Sequence, residues 1–200
     1  MAYTADIEDS RPKGEPKAVI NAKAATTFID SNQNTDPTVA LADLGGFHYR
    51  PDESPSGSLT NKAGVVYFRS YGSITYAGTL SLLYSDVDKK DPRVRSALDW
   101  ASRHWTLDEN PGMGQEGKYF FYNVMSKCMN ATGQDFVQLK NSKSLLNWRE
   151  AVLKKLISSQ KIHKGTGYWV NEEGRWAEND PVLTTAYSVL TLEQAYIDEQ

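Results

Sequence analysis

Along most of this 200-residue chain, apolar positions return at steps of three and four, the period of a helix with one covered face. In "KAVINAKAATTFIDSNQ" the stripe is Val19, Ala22, Ala25, Phe28 and Ile29. In "SYGSITYAGTLSLLYSDV" it is Ile74, Ala77, Leu80, Leu83 and Tyr84. Asp91 then supplies an N-cap and Pro92 a first-turn proline, with Val94, Ala97, Leu98, Ala101 and Trp105 behind them. A fourth helix is expected over "KYFFYNVMSKC", stopping at Gly133. A fifth runs through "SLLNWREAVLKKLISSQ" on Leu145, Trp148, Val152, Leu156 and Ile157. The sixth opens at Asp180-Pro181 and carries Val182, Leu183, Ala186, Val189, Leu190 and Leu192. Residues 34 to about 61 read as one long loop rich in Pro, Gly, Ser and Asp. Strand signals are scarce, and the expected class is all-α.

The helices alternate in character. The first, third and fifth are amphipathic, while the second, fourth and sixth are small-residue or aromatic nearly all round. That alternation predicts two layers, each amphipathic helix lying outside an apolar partner. Ahead of the fourth helix stands "NPGMGQEG", and its glycines let the chain turn sharply from the outer layer to the inner one.

Composition narrows the function. Hydrophobic residues make up 40% of the chain, enough for a core, and the net charge of -3 favours neither nucleic acid nor an anionic membrane. Lys154, Lys155, Lys161 and Lys164 read as the solvated face of a helix. The single cysteine, Cys128, excludes an internal disulfide and a multi-cysteine metal site. No apolar run reaches the ~18 residues of a membrane span. Residues 1–17 are polar and read as a tail, leaving 18–200 as the folded domain.

The ends of the outer helices repeat. Ile29-x3-Gln33 precedes Gly45-Gly46-Phe47, and Leu156-x3-Gln160 precedes Gly167-Tyr168-Trp169. Trp100-x3-His104 precedes Gly112-Met113-Gly114, with a histidine in place of glutamine. One helical hairpin therefore occurs three times. Two of these units resemble the glutamine-tryptophan repeat of squalene and oxidosqualene cyclases, "LISSQKIHKGTGYW" being the better copy. "GGFHYRP", "DPRVRSALDWASRHWTLDENPGMGQEG" and "DPVLTTAYSVLTLE" are similar to bacterial prenyltransferase/squalene-oxidase repeat proteins, from about residue 18 onward. The resemblance implies an α/α toroid acting on a polyisoprenoid or another apolar molecule. Closed barrels of that kind hold about twice as many hairpins, so a half-ring is expected. It would be the C-terminal part of a longer barrel, or a protomer that self-associates.

The resemblance does not extend to the chemistry. Cyclases of this type protonate substrate with an Asp-x-Asp-Asp-Thr-Ala motif, and residues 181–186 keep only the Thr-Ala. Asp86-Val87-Asp88-Lys89 imitates the motif in letters alone, at a helix end. The prenyltransferase zinc site needs an aspartate two places before its cysteine, where this chain has Ser126 before Cys128. No metal and no cofactor is expected. Glu116 and Asp180 are the only carboxyls offered as substitute acids. Around one mouth of the expected axial cavity, Arg69, Tyr71, Tyr119, Tyr122 and Trp176, with Glu178, are the candidate ligand-binding residues. The alternative to catalysis is a binding or scaffold domain that keeps the repeat without the acid and without zinc.

Overall fold

The computed structural model describes residues 7–8, 10–18, 21–139 and 144–196. Among the described residues from 21 onward, six α-helices fall within the stretches of apolar period: α1 Ala22–Asp30, α2 Gly72–Leu83, α3 Pro92–Arg103, α4 Lys118–Thr132, α5 Trp148–Ser159 and α6 Pro181–Tyr196. Val19, the first member of the predicted α1 stripe, lies outside the described residues. Asp91 caps α3 by accepting from the Arg93 amide at 2.9 Å, with Pro92 in the first turn, and α4 stops at Gly133.

The all-α toroid expectation is overturned. The chain is mixed α/β, because three two-stranded antiparallel sheets join its helices among the described residues. They are β1 Ser58–Thr60 with β2 Val66–Phe68, β3 Phe136–Gln138 with β4 Leu145–Asn147, and β5 Lys161–His163 with β6 Thr166–Tyr168. Each strand is three residues long, too short for an alternating pattern to stand out, and most strand positions are exposed. The β5–β6 connection is the two-residue turn Lys164-Gly165, with φ 49° and 78° at its two positions. Positive φ at both central residues matches the twist of a tight hairpin. β4 takes Leu145 from the predicted fifth helix, and Lys161 and Lys164, read as part of a helix face, stand in β5 and in the turn after it.

Two layers are nevertheless recognisable. α4 packs against both α2 and α6, while α3 packs on α2 and α5 on α6. The main core lies between them and contains Tyr76, Phe121, Tyr122, Met125, Trp148 and Leu156. Phe47, Leu82, Val94 and Ala97 form a smaller cluster under α3. α2 and α6 bury Ser and Thr as well as apolar groups. Thr79 and Ser188 donate to the carbonyls four residues back, Thr75 and Thr184, each at 2.8 Å. Satisfied in this way, small hydroxyls can face a neighbouring helix at little cost.

Two loops enter the inner helices by the same device. The Phe47 amide donates to Thr75 Oγ1 at 3.0 Å, and the Trp169 amide to Thr185 Oγ1 at 3.1 Å. Gln33 donates to the carbonyls of Gly45 and Arg93, and Gln160 lies so close to Gly167 that a Cβ there would sit 2.4 Å from its Nε2. In the third unit His104 stacks on Trp100 with centroids 4.2 Å apart. α6 departs from its expected enclosure: Val182 is 76% exposed and Val189 53%. Phe28 and Ile157, both in predicted stripes, are also exposed.

Gly78 shows how tightly α2 meets its outer neighbour. A Cβ there would lie 2.6–2.9 Å from ring carbons of the buried Phe47. Gly78→Ala gains up to about 1 kcal/mol of helix propensity. Overpacking against a fixed ring costs about 1–3 kcal/mol, so net destabilisation is expected. Urea unfolding checks the sign; a raised midpoint would show that Phe47 can yield.

Candidate functional site

Two inner helices begin without a cap of their own. Tyr71 and Gly117 precede α2 and α4, and neither supplies a side-chain bond to the first turn. The first amides of a helix have no partner within it and must find one elsewhere. Here they find it in the loop that leads to the next inner helix. Asn110 Oδ1 accepts from the Ser73 amide at 2.9 Å, and the Pro111 carbonyl from the Gly72 amide at 2.7 Å. Glu178 does the same for α4, accepting from the amides of Phe120 at 2.8 Å and Tyr119 at 3.3 Å. Asn171 adds a third bond to Glu178, through Nδ2 at 2.8 Å. A wholly buried carboxylate is tolerable there because N–H donors and the positive end of a helix surround it.

Anchoring Glu178 shapes the chain before it. Trp176 (φ 55°, ψ 33°) and Ala177 (φ 61°) are consecutive non-glycine residues in left-handed backbone conformation, a state that costs about 1–3 kcal/mol per residue. The turn holds Trp176 against Gly117, where a Cβ would meet the indole at 2.9 Å and where φ is 66°. Glycine is required there for both reasons.

These pieces enclose a cleft of about 440 Å³, within the ordinary range for small-molecule sites. α2 contributes Ser73, Ile74 and Ala77, with Tyr71 just ahead of it. Phe120 comes from α4, Tyr187 from α6, and Arg175, Trp176 and Glu178 from the strained turn. The far wall is Tyr49, Glu53 and Pro55 from the long loop. Five aromatic rings thus face a few polar groups. Trp176, Tyr49 and Phe120 stay 47%, 50% and 37% exposed, while Tyr71 is nearly sealed at 4%.

The charges at the cleft are paired. Arg175 bonds Glu116 Oε2 through Nη1 at 2.6 Å and places its guanidinium 4.6 Å from the centre of the Trp176 ring. Glu53 is gripped by Arg50, with Nε at 2.9 Å and Nη2 also in contact. Burial raises the Tyr71 hydroxyl pKa, with Tyr49 pushing further and Arg175 opposing. Burial likewise raises Tyr187, with Glu178 contributing in the same direction. Both phenols therefore stay protonated as donors across the physiological range.

The candidate residues named from sequence divide. Tyr71 and Trp176 line the cleft, and Glu116 stands behind it as partner of Arg175. Tyr119 and Tyr122 point into the core, where Tyr122 donates its hydroxyl to the Leu107 carbonyl at 2.5 Å. Arg69 lies away from the cleft, its Nε 3.8 Å from Asp43 Oδ1. Asp180 accepts from the Val182 amide at 2.8 Å and caps α6. Tyr49, Glu53, Phe120, Arg175 and Tyr187 line the cleft without having been singled out as candidates. Phe120 carried a signal: it stands one step round the helix from the buried Tyr119. Tyr49 and Glu53 carried none, since their position depends on how the long loop folds back. Among the described residues no cluster of His, Cys, Asp and Glu could hold a metal ion, and no helix is long and apolar enough to cross a membrane.

Compared with known protein families, with curated proteins and with solved structures, the chain gives no match.

Removing the carboxylate of Glu178 strands three N–H donors in the interior. Glu178→Ala is expected to destabilise the fold by at least about 1–3 kcal/mol, and Glu178→Gln, which keeps one acceptor oxygen, by less. Chemical unfolding of the two variants checks the order, and equal losses would show that packing, not capping, sets the cost. A second expectation concerns pH. Burial lowers the pKa of His48 below its ordinary 6.5, only partly offset by the bond to the Arg50 carbonyl. The unfolded chain then takes the proton first, so this stability is present above about pH 6.5 and is lost as pH falls toward the lower folded value. His48→Gln should flatten the pH dependence of the unfolding midpoint in that window; an unchanged slope would assign the loss to other groups.

Proposed function

We propose that this chain is a ligand-binding domain that works through the aromatic cleft between α2, α4, α6 and the loop carrying Tyr49 and Glu53. The observation that carries this reading is the engagement of every nearby carboxylate. Glu178 accepts three N–H bonds, Glu116 holds Arg175 and Asp180 caps α6. A proton-donating carboxyl of the cyclase type needs neighbours that disfavour its charge, such as a second carboxylate or a dry apolar wall. These three have N–H donors or a guanidinium instead. The cleft keeps the shape and aromatic lining of a binding site and lacks the acid that would start carbocation chemistry.

One feature supports a second reading, catalysis on a polyisoprenoid as the sequence resemblance implies. Five ring faces around one cavity could stabilise a passing positive charge. The acid in that reading is Glu116, one of the two carboxyls the sequence offers, which stands beside the cleft and bonds Arg175.

A blocked cleft separates binding here from binding elsewhere. Ala77 lines the cleft and is half-buried, so Ala77→Trp would fill part of the space. Saturation-transfer NMR with a panel of farnesol and short neutral sugars should give signals with the wild type that Ala77→Trp abolishes. Signals that persist in the blocked variant would move the site elsewhere. The same protein incubated with squalene or prenyl diphosphates should form no product; product that Glu116→Gln eliminates would establish the second reading.

A further inference from the structure

We infer that the ligand of this cleft is a neutral carbohydrate, a short run of sugar rings. The inference rests on the reading of the cleft as a binding site and adds its chemistry. Three observations carry it.

The first is charge. Arg175 is held by Glu116, Glu53 by Arg50, and Glu178 by two backbone amides and Asn171. A charged ligand would meet charges that are already neutralised by these partners, so its charge gains little there. A neutral ligand leaves them intact.

The second is unmet hydrogen-bonding capacity. Tyr71 is 4% exposed and lines the cleft, yet its hydroxyl has no partner among the described residues. Tyr187 lines the same space, and its hydroxyl is likewise without a partner among the described residues. Arg175 bonds Glu116 through Nη1, and its other N–H groups have no further bond to described residues. Neither hydroxyl is among the buried atoms left without a partner, so both open to the cleft, where a ligand hydroxyl can take the place of water. An isoprenoid chain offers nothing to these groups, whereas a sugar offers a hydroxyl at nearly every carbon.

The third is the walls. Trp176, Tyr49 and Phe120 keep exposed ring surface, and the C–H face of a pyranose packs on such rings while its hydroxyls project from the edge. Trp176 is held in place by the strained turn and by Gly117, so its ring does not have to be ordered when a ligand arrives.

Isothermal titration of the full chain with maltotriose, cellotriose and chitotriose tests the inference. An acidic oligosaccharide (trigalacturonate) and farnesol serve as comparisons. At least one neutral trisaccharide should bind, trigalacturonate at least tenfold more weakly, and Ala77→Trp should abolish the heat. Tyr71→Phe removes only the hydroxyl, and should weaken sugar binding about tenfold with an unchanged thermal unfolding midpoint. Farnesol binding that Ala77→Trp blocks, with no sugar binding, would overturn the carbohydrate inference and leave the cleft as a binding site. Silence from every probe would count against both. Sugar binding indifferent to Tyr71→Phe or to Ala77→Trp would also overturn the inference, since the groups argued here would not be the ones used.

Discussion

Inner helices that cannot cap themselves depend on the loop beyond them. α2 and α4 each begin at a residue with no capping side chain, and each takes its cap from a buried polar group that arrives later in the chain, Asn110 for α2 and Glu178 for α4. This dependence ties each hairpin to the next through hydrogen bonds as well as through apolar contact. It also explains why α4, nearly surrounded by other elements, can start in the interior: its orphan amides are answered by a carboxylate brought from about sixty residues away.

The same constraint makes the cleft. To reach the first turn of α4, the chain before Glu178 folds into a left-handed turn at Trp176 and Ala177, and this turn places an indole and a guanidinium at the rim. Gly117 gives the room. The structural role of Glu178 therefore limits its chemical one, since an oxygen pair that closes a helix is not free to serve as an acid. Aromatic walls and spare hydroxyls remain, the groups on which the proposed binding rests.

Much of the helical framework was legible along the chain. Asp91-Pro92, Gly133 and Asp180-Pro181 are local signals, decided by one residue's backbone preference or one side chain's reach, and the structure places helix ends at each. The three small sheets were not legible. A three-residue strand carries too few positions for a period, and the Lys164-Gly165 turn is marked mainly by a lysine whose positive φ its own sequence does not favour. Nor could the period tell which inner helix would be enclosed. α4 and α6 are both rich in apolar residues, yet Val182 and Val189 of α6 face solvent because no element of the described chain lies over them.

The site divides in the same way. By itself the sequence determined where aromatic and acidic residues cluster at the starts of the inner helices. Only the tertiary structure decided that Tyr71 and Trp176 share a cleft while Tyr119 and Tyr122 enter the core. At the start of a helix with neighbours on several sides, a rotation of about 100° per residue separates the cleft from the interior, and the packing of α2 and α6 against α4 sets the direction. Only the structure, too, assigned Glu178 to a helix end and brought Tyr49, Glu53 and Arg175 to one wall. Those contacts span tens of residues and depend on loop paths that local preference does not encode.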